Sequence, residues 1–304
     1  MVTTSKAPVR IDFAGGWTDV DIFAKGAGGA VLNATIDKYV TGRLETLDGS
    51  ATADGGWKDG ITVSYASDLP AGSGLGTSAA LNVVWLSLVK TQVNDIEDQK
   101  TIAGLAYELE AILGILGGKQ DQYASAIGGF NFMTFGEKVE VEQLSVPPSV
   151  VKELEDRLVL CYTGKQRLSG NIHENVWGAY RQGAAETVNA LYSLRSIAYN
   201  MRYVLLAGRL DEFADLMNQN WEAQKKLDAS VSNAQIEELF DGAFKHGAVS
   251  GKACGAGGGG CVLFFAEPNR RRSVEEVVER LGSRVIPFKF EAAGLQVAEG
   301  RPPT

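Results

Sequence analysis

The chain has few of the residues that build metal and redox centres. Its 304 residues include two histidines, His173 and His246, and three cysteines, Cys161, Cys254 and Cys261. These positions do not cluster at the spacing of zinc ligands, so a zinc-finger type of site is excluded. An odd number of widely spaced thiols is typical of a protein from a reducing compartment, because secreted disulfide frameworks use paired cysteines.

Long apolar runs and an excess of positive charge are also missing. No run of 18 apolar residues could span a bilayer, and Met1–Arg10 has no apolar signal core, so we expect a cytoplasmic protein without a membrane partner. Lysine and arginine number 29 against 37 acidic residues, a net charge of −8. This balance lacks the basic footprint of a nucleic-acid binder. The hydrophobic fraction of 45% excludes the disordered and collagen-like classes.

Glycine, in contrast, is abundant. The chain has 36 glycines in 304 residues, well above the usual share of roughly 7%. They concentrate at residues 14–30, 72–76, 117–129 and 255–260. Because glycine lets the backbone approach a ligand closely, four such junctions between apolar segments predict a shared binding site.

The order of apolar patterns predicts an α+β protein. The expected strands are Val9–Phe13, Val31–Ile36, Tyr39–Thr46, Ile61–Tyr65, Phe130–Phe135, Leu158–Thr163, Cys261–Ala266 and Val285–Phe290. The expected helices cover Ala79–Lys90, 101–116, 173–207, 210–227, 233–247 and 273–282. No regular β-α-β repeat appears, which favours two α+β lobes over a doubly wound sheet. The segment Val146–Ser149 contains two prolines and predicts domains at 1–150 and 151–304.

The segment Pro70–Ala80, with the sequence PAGSGLGTSAA, has the composition of an anion-binding loop. Its glycines turn successive amides inward, and an apolar helix follows at once, so free N–H groups and the positive helix end point to one place. The loop is not a Walker A motif, because no lysine follows its last glycine. A glycine-rich turn in which Ser or Thr caps the helix remains the purely structural alternative.

The run Gly255–Gly260, with the sequence GAGGGG, contains the spacing of a dinucleotide fingerprint. That fingerprint follows a strand and opens a helix, whereas here a helix is predicted before the run and a strand after it. The dinucleotide interpretation is therefore rejected. Consecutive glycines still predict close approach of this backbone to another group.

The segment Gly117–Tyr123 is predicted to be a loop that carries one acid, Asp121, between two glutamines. An aspartate in a loop often only caps its own turn. On the preceding helix, Glu108 and Glu110 each lie about 100° from the centre of the apolar face. Periodicity therefore does not decide which of the two points into a cleft.

Taken together, these segments resemble the GHMP kinase superfamily. The order is APVRIDFAGGWTD, PAGSGLGTSAA, GGKQDQYAS and GKACGAGGGGC, and the similarity covers essentially the whole chain. The finer pattern is most similar to D-glycero-D-manno-heptose 7-phosphate kinases and to the kinase part of fucokinases. The resemblance implies a two-lobed fold, with a mixed α/β N-terminal lobe that binds ATP, a C-terminal α+β lobe and an active site in the cleft between them.

The resemblance also implies roles for individual residues. ATP is expected at Pro70, Gly72, Ser73, Gly74, Leu75, Gly76, Thr77 and Ser78. The implied Mg²⁺ ligands are Ser78 and Glu110, the implied general base is Asp121, and Arg10 is expected beside that base. The substrate is expected to contact Trp17, Thr18, Asp19, Gln120, Arg167, Gly257 and Gly258. For Trp17, stacking on a sugar and filling of the core remain equal alternatives.

One departure from the superfamily pattern bears on the substrate. Galactokinases carry Gly-Glu-His-Thr-Asp in the first motif, whereas Gly16 and Trp17 replace the Glu and His here, so galactose is not expected. The implied activity is ATP-dependent phosphorylation of a sugar hydroxyl, most simply the anomeric hydroxyl of a heptose 7-phosphate. The alternatives are a GHMP kinase for fucose, a cyclitol or an amino alcohol, or a catalytically silent regulator that binds sugar and ATP. The oligomeric state stays open between monomer and homodimer.

Overall fold

Two antiparallel sheets organise the chain. The computed structural model describes residues 2–51, 57–90, 93–165 and 170–300. Within these ranges, the strands are β1 (Val2–Ala14), β2 (Gly29–Ala51), β3 (Trp57–Ser67), β4 (Phe130–Phe135), β5 (Val139–Gln143), β6 (Leu158–Tyr162), β7 (Ala248–Ala253), β8 (Cys261–Ala266), β9 (Arg284–Val285) and β10 (Gln296–Gly300). The predicted α+β class is confirmed.

Helices cover both sheets. They are α1 (Asp21–Ala27), α2 (Thr77–Val89), α3 (Ile96–Ile112), α4 (Gln120–Ile127), α5 (Pro148–Arg157), α6 (Gly170–Arg181), α7 (Ala185–Leu206), α8 (Leu210–Lys225), α9 (Ala234–Lys245) and α10 (Arg271–Arg280). In the part of the chain that the structure describes, none of them is long and apolar enough to cross a membrane.

The first sheet has the order β10-β1-β2-β4-β5, and β3 pairs with the C-terminal half of β2. Helices α2, α4 and α7 pack on β1 and β2. The strand β10 pairs with β1, so the C-terminal end of the described chain returns to the sheet that the N-terminal end builds. The division at residue 150 stays a prediction.

The second sheet has the order β7-β8-β6-β9, and its hydrophobic core is continuous with that of the first. Phe213 of α8 joins the two, because its ring lies 5.3 Å from that of Phe13 in β1 and 6.3 Å from that of Phe265 in β8, centroid to centroid. The shared core keeps the loops of the two sheets at fixed positions relative to each other.

Three local expectations differ from the structure. The predicted helix 173–207 is two helices, α6 and α7, because the chain turns at Gly183 with a positive φ of 72°. The predicted strand Val285–Phe290 reduces to β9 and one bridge from Phe290 to Ile36, since Pro287 has no N–H group for a ladder. Strand β7 was missed, because its sequence AVSGKA contains a glycine and few β-branched residues.

A buried ion pair joins the two sheets. Lys252 of β7 has no exposed side-chain surface, and its Nζ donates to Asp12 Oδ2 at 2.9 Å and to the Asp12 carbonyl at 2.7 Å. Asp12 belongs to β1 and is also buried. Removing one partner of such a pair leaves the other charge buried without compensation, which is strongly destabilising.

Replacing Lys252 with Met should therefore lower the free energy of unfolding by about 3–5 kcal/mol, as measured by urea denaturation. Lys226→Met is the matched control, because Lys226 is exposed directly after α8, and a surface change of this kind shifts stability by less than about 0.5 kcal/mol. Equal losses in the two variants would contradict a structural role of the ion pair.

Candidate active site

A cavity of about 280 Å³ collects all the glycine-rich segments that the sequence analysis singled out. Its lining comes from residues 10–20, 72–79, 110–122 and 254–259, and from His173. The predicted site residues that line it are Arg10, Trp17, Asp19, Gly72, Ser73, Gly74, Gly76, Thr77, Ser78, Glu110, Gln120, Asp121 and Gly257. Segments more than 200 residues apart in sequence therefore share one cavity.

Three other predicted residues are neighbours of the lining residues but do not line the cavity themselves. The Thr18 hydroxyl donates to the Gly15 carbonyl at 2.7 Å, Leu75 is completely buried, and the Gly258 N–H donates to the Val231 carbonyl at 2.6 Å. These groups already have protein partners, so contacts of Thr18 and Gly258 with a substrate stay predictions.

The described cavity lining does not include two further predicted residues. Pro70 lines a separate depression together with Tyr162 and Arg284. Arg167 lies outside the described residues. The expected contact of Pro70 with ATP and the expected contact of Arg167 with the substrate both remain predictions.

The glycine-rich segments at 72–76 and 255–260 contact each other through their backbones. The Cys261 N–H donates to the Ser73 carbonyl at 2.8 Å. Gly74 has a φ of +78°, and a Cβ atom there would lie 2.6 Å from the Cys254 carbonyl oxygen. The glycines at 255–260 are thus explained in part by packing against the loop at 72–76, in addition to their place in the cavity wall.

The start of α2 has open amide groups beside the cavity. The helix begins at Thr77, and no side chain caps it because its N-cap residue is Gly76; the hydroxyls of Ser73 and Thr77 bond to each other at 2.9 Å. This arrangement rules out the alternative in which Ser or Thr serves as the N-cap. Uncapped N–H groups at a helix N-terminus form a site for an anion such as phosphate.

Asp121 and Arg10 form an ion pair next to this loop. Asp121 lies in the first turn of α4, not in a loop as predicted. Arg10 donates from Nε to Asp121 Oδ1 at 2.8 Å and from Nη1 to the Gly74 carbonyl at 2.7 Å, and its Nη2 lies 2.6 Å from Asp121 Oδ1. Burial alone would lower the pKa of Arg10, but Asp121 and Asp12 raise it, so the guanidinium stays charged.

The structure decides between the two glutamates of α3. Glu108 is exposed, whereas Glu110 is buried and lines the cavity. Asn82 donates to Glu110 Oε1 at 2.8 Å and Gln122 donates to Oε2 at 2.7 Å. Burial raises the pKa of Glu110 despite these two bonds. Asn82 and Gln122 were not predicted, although Gln122 stands next to Asp121 in the third motif.

The oxygen donors of the cavity suit a hard cation. Ser78 is exposed at the start of α2, and Glu110 presents a carboxylate to the same cavity. Within the described ranges, no group of three or more His, Cys, Asp or Glu side chains could hold a metal by itself. Mg²⁺ binds through one or two protein oxygens and completes its shell with water and phosphate, so the pair fits this ion.

Asp19 is the most strongly perturbed carboxylate of the cavity. It accepts a hydrogen bond from the Gln120 N–H at 3.0 Å and is almost completely buried. Burial raises its pKa to about 7, and the bond from Gln120 only partly opposes this effect. A Cβ atom at Gly118 would lie 1.8 Å from Asp19 Oδ2, so glycine is required there.

Trp17 both packs in the core and borders the cavity. It is 5% exposed, belongs to a hydrophobic cluster with Trp177, and has a positive φ of 79°, which is rare for residues other than glycine. Its ring lies 4.4 Å from that of His173, centroid to centroid. The sequence assigned no role to His173, because it stands in no motif.

Comparisons with known proteins agree with this arrangement. The family description "GHMP kinases N terminal domain" matches residues 38–129, and "GHMP kinases C terminal" matches residues 201–286. D-glycero-alpha-D-manno-heptose 7-phosphate kinase of Campylobacter jejuni is 30% identical over 332 residues, which cover 96% of this chain and 97% of that one.

Two further similarities concern a solved structure and a longer protein. The crystal structure of a D-glycero-D-manno-heptose 1-phosphate kinase from Bacteroides thetaiotaomicron superimposes with a TM-score of 0.78 at 29% identity, and covers 99% of this chain and 100% of that one. The bifunctional fucokinase/GDP-fucose pyrophosphorylase of Arabidopsis thaliana is 27% identical over 92% of this chain, which spans 31% of that longer protein.

Gly74→Ala should disturb the contact between the two glycine segments. The positive φ and the 2.6 Å approach to the Cys254 carbonyl predict a loss of about 1–3 kcal/mol in the free energy of unfolding. Gly136→Ala is the control, since a Cβ atom there meets nothing within 4 Å. If urea denaturation gave the same stability for both variants, the contact would not require glycine.

The pKa of Asp19 predicts a pH dependence of stability. The native carboxyl, with a pKa of about 7, keeps a proton that the unfolded chain loses near pH 4. The contribution of Asp19 to the free energy of unfolding is therefore fully present below about pH 4 and is lost as the pH rises through 7, by about 1.4 kcal/mol per pH unit. Relative to Asp19→Asn, the wild type should lose stability in this window. The control Asp241→Asn, exposed on α9, should instead follow the wild type, and parallel curves for all three proteins would contradict the assignment.

Proposed function

The chain belongs to the GHMP kinase family and is a sugar kinase, and we propose that it transfers the γ-phosphoryl group of ATP to the anomeric hydroxyl of a heptose 7-phosphate or a closely related sugar. The observation that carries this proposal is the Arg10–Asp121 pair beside the uncapped start of α2. The amides at the start of α2 can bind phosphate there, while Asp121 receives a proton. The Campylobacter relative and the Bacteroides structure support the choice of a heptose phosphate.

The glycine-serine loop provides the phosphate site. The free amides that precede and open α2 line the cavity, and they offer a fixed set of donors to the phosphates of ATP. Gly76 also leaves room for the base, because a Cβ atom at this position would lie 3.2 Å from the Asp121 carboxylate. The loop and the base can therefore approach the transferred group from adjacent positions.

Ser78 and Glu110 are the residues that would hold Mg²⁺. When bound, the ion neutralises charge on the phosphates during transfer. Asn82 and Gln122 each occupy one oxygen of Glu110, and thereby keep the carboxylate at a fixed orientation toward the cavity.

Asp121 is the proposed general base. Arg10 donates a hydrogen bond from Nε to Oδ1, its Nη2 lies 2.6 Å from the same oxygen, and among the described residues no donor contacts Oδ2. Oδ2 can therefore accept the proton of the sugar hydroxyl. Arg10 holds the carboxylate in place and also reaches the Gly74 carbonyl of the phosphate loop, so the base and the loop share one anchor.

Asp19, Gln120 and Trp17 are the proposed sugar contacts. Asp19 offers carboxylate oxygens and Gln120 an amide to sugar hydroxyls, and the Trp17 ring borders the same space. Arg10 is the sole Lys or Arg in the described lining, and it is already paired. Binding of a phosphate on the sugar would therefore require a cation such as the predicted Arg167.

This charge distribution also favours a second candidate, the phosphorylation of an unphosphorylated sugar such as fucose. The described lining carries four carboxylates against one guanidinium, which suits hydroxyl groups better than a second phosphate. A catalytically silent regulator is disfavoured, because Arg10, Ser78, Glu110 and Asp121 line one cavity, and binding alone needs no base.

Asp121→Asn should lower kcat by a factor of about 10²–10⁴, because asparagine keeps the shape of the side chain but accepts no proton. The KM for ATP should change little, since the loop amides remain. The control is Asp241→Asn, which makes the same change on the exposed face of α9. A turnover near that of the wild type would exclude Asp121 as the base.

The substrate is tested by release of ADP with D-glycero-D-manno-heptose 7-phosphate, the unphosphorylated heptose, L-fucose and a cyclitol. We expect the heptose 7-phosphate to give the highest kcat/KM. A preference for fucose or for the free heptose would favour the second candidate. Binding of ATP and sugar without release of ADP would contradict both and favour the regulator.

A further inference from the structure

His173 borders the active-site cavity and has no part in the chemistry described above. It is half-buried near the start of α6 and lines the same cavity as Asp19, Gln120 and Asp121. Neither a motif nor an ion pair explains it. What distinguishes this histidine is the way in which two tryptophans hold its ring.

Trp177, one helical turn later on α6, determines which ring nitrogen carries the proton. Its indole Nε1 donates to His173 Nδ1 at 3.4 Å, and Trp177 is completely buried. An indole N–H can only donate, so Nδ1 must be the acceptor. The proton of the neutral imidazole therefore lies on Nε2. Burial lowers the pKa of His173 to about 4, which keeps the ring neutral at pH 7.

Trp17 fixes the plane of the same ring. The two ring centroids lie 4.4 Å apart with an angle of 31° between the planes. The backbone of Trp17 has a φ of 79°, a conformation that costs free energy for a residue with a Cβ atom. The tilted ring contact with Trp17 and the hydrogen bond from Trp177 together leave little freedom for the imidazole. In the described part of the chain, no residue contacts Nε2 as an acceptor.

We propose that His173 is a specificity-determining residue whose Nε2–H donates a hydrogen bond to a hydroxyl oxygen of the bound sugar. The inference rests on the proposed function, because it assigns the residue to the sugar side of that active site. A neutral donor is suited to a hydroxyl oxygen and adds no charge for a phosphate. It complements Asp19, whose carboxylate would accept from another hydroxyl.

The kinetic test uses His173→Phe, which keeps an aromatic ring against Trp17 but has no donor. With D-glycero-D-manno-heptose 7-phosphate, the KM for the sugar should rise about 3- to 10-fold, the range of one neutral hydrogen bond, while the KM for ATP changes less than about twofold. His173→Gln places an N–H near the position of Nε2 and should recover part of the loss. If the KM for the sugar did not change, or if both KM values rose equally, the inference would be wrong.

His246→Phe is the matched control. His246, the other histidine of the chain, directly follows α9, and its Nδ1 lies 2.8 Å from the carbonyl of Gly242 in that helix, outside the cavity lining. The same substitution there should leave both KM values and kcat within about twofold of the wild type. A rise of the sugar KM as large as that in His173→Phe would mean that the effect is not specific to the cavity.

A deoxy-sugar series identifies the acceptor. For one monodeoxy analogue, kcat/KM of the wild type should be about 3- to 10-fold lower than for the parent sugar. For His173→Phe the two values should be almost equal, because this variant has already lost the hydrogen bond. Independent losses for every analogue would overturn the inference. If the wild type accepts L-fucose instead of the heptose, the series is run on fucose, and only the proposed substrate fails. If no sugar is phosphorylated, the proposed function fails, and this inference fails with it.

A second measurement does not depend on activity. A long-range ¹H–¹⁵N spectrum at pH 7.5 resolves two histidines, and His173→Phe assigns the signals. His173 should show a protonated Nε2 and an unprotonated Nδ1, and Trp177→Phe should weaken that preference. A protonated Nδ1 or a doubly protonated ring in the wild type would contradict the proposed donor, even if the kinetic variants folded poorly.

Discussion

The backbone contact between residues 72–74 and 254–261 is the constraint on which the rest of the site depends. The Cys261 N–H bonds to the Ser73 carbonyl, and Gly74 leaves no space for a side chain against Cys254. This contact joins the loop before α2 to the strands of the second sheet. Because the loop is held from behind, its amides can stay open toward the cavity without a side-chain cap, and this is the property that an anion site requires.

Strand β1 contributes to two ion pairs, one with a structural role and one beside the proposed general base. Asp12 is paired with Lys252 where both side chains are fully buried, whereas Asp121 is paired with Arg10 and keeps 27% of its side chain exposed. The first pair holds the sheets together, and its side chains are almost completely buried, although Asp12 also contributes to the cavity lining. The second retains one free carboxylate oxygen at the cavity. Exposure, more than the identity of the residues, therefore distinguishes the proposed base from a structural aspartate.

Much of the fold could be predicted because its elements are local. Phe130–Phe135 and Cys261–Ala266 run at the expected bounds, since short segments rich in apolar residues and bounded by glycine or proline turns leave few alternatives. Strand β7 was missed, because its pairing with β8 depends on a partner strand and not on its own composition. Periodicity could not separate Glu110 from Glu108, because a helical wheel contains no neighbour against which to orient the side chain, and only the family resemblance selected Glu110.

By itself, the sequence determined the family resemblance and the four glycine-rich segments, including the one proposed to bind phosphate, because backbone freedom is a property of single residues. Only the tertiary structure decided that Lys252 pairs with Asp12, that Gln122 and Asn82 orient Glu110, and that two tryptophans hold His173. These relations mostly connect residues far apart in the chain. They arise where separate elements pack together, and neither composition nor periodicity records such contacts.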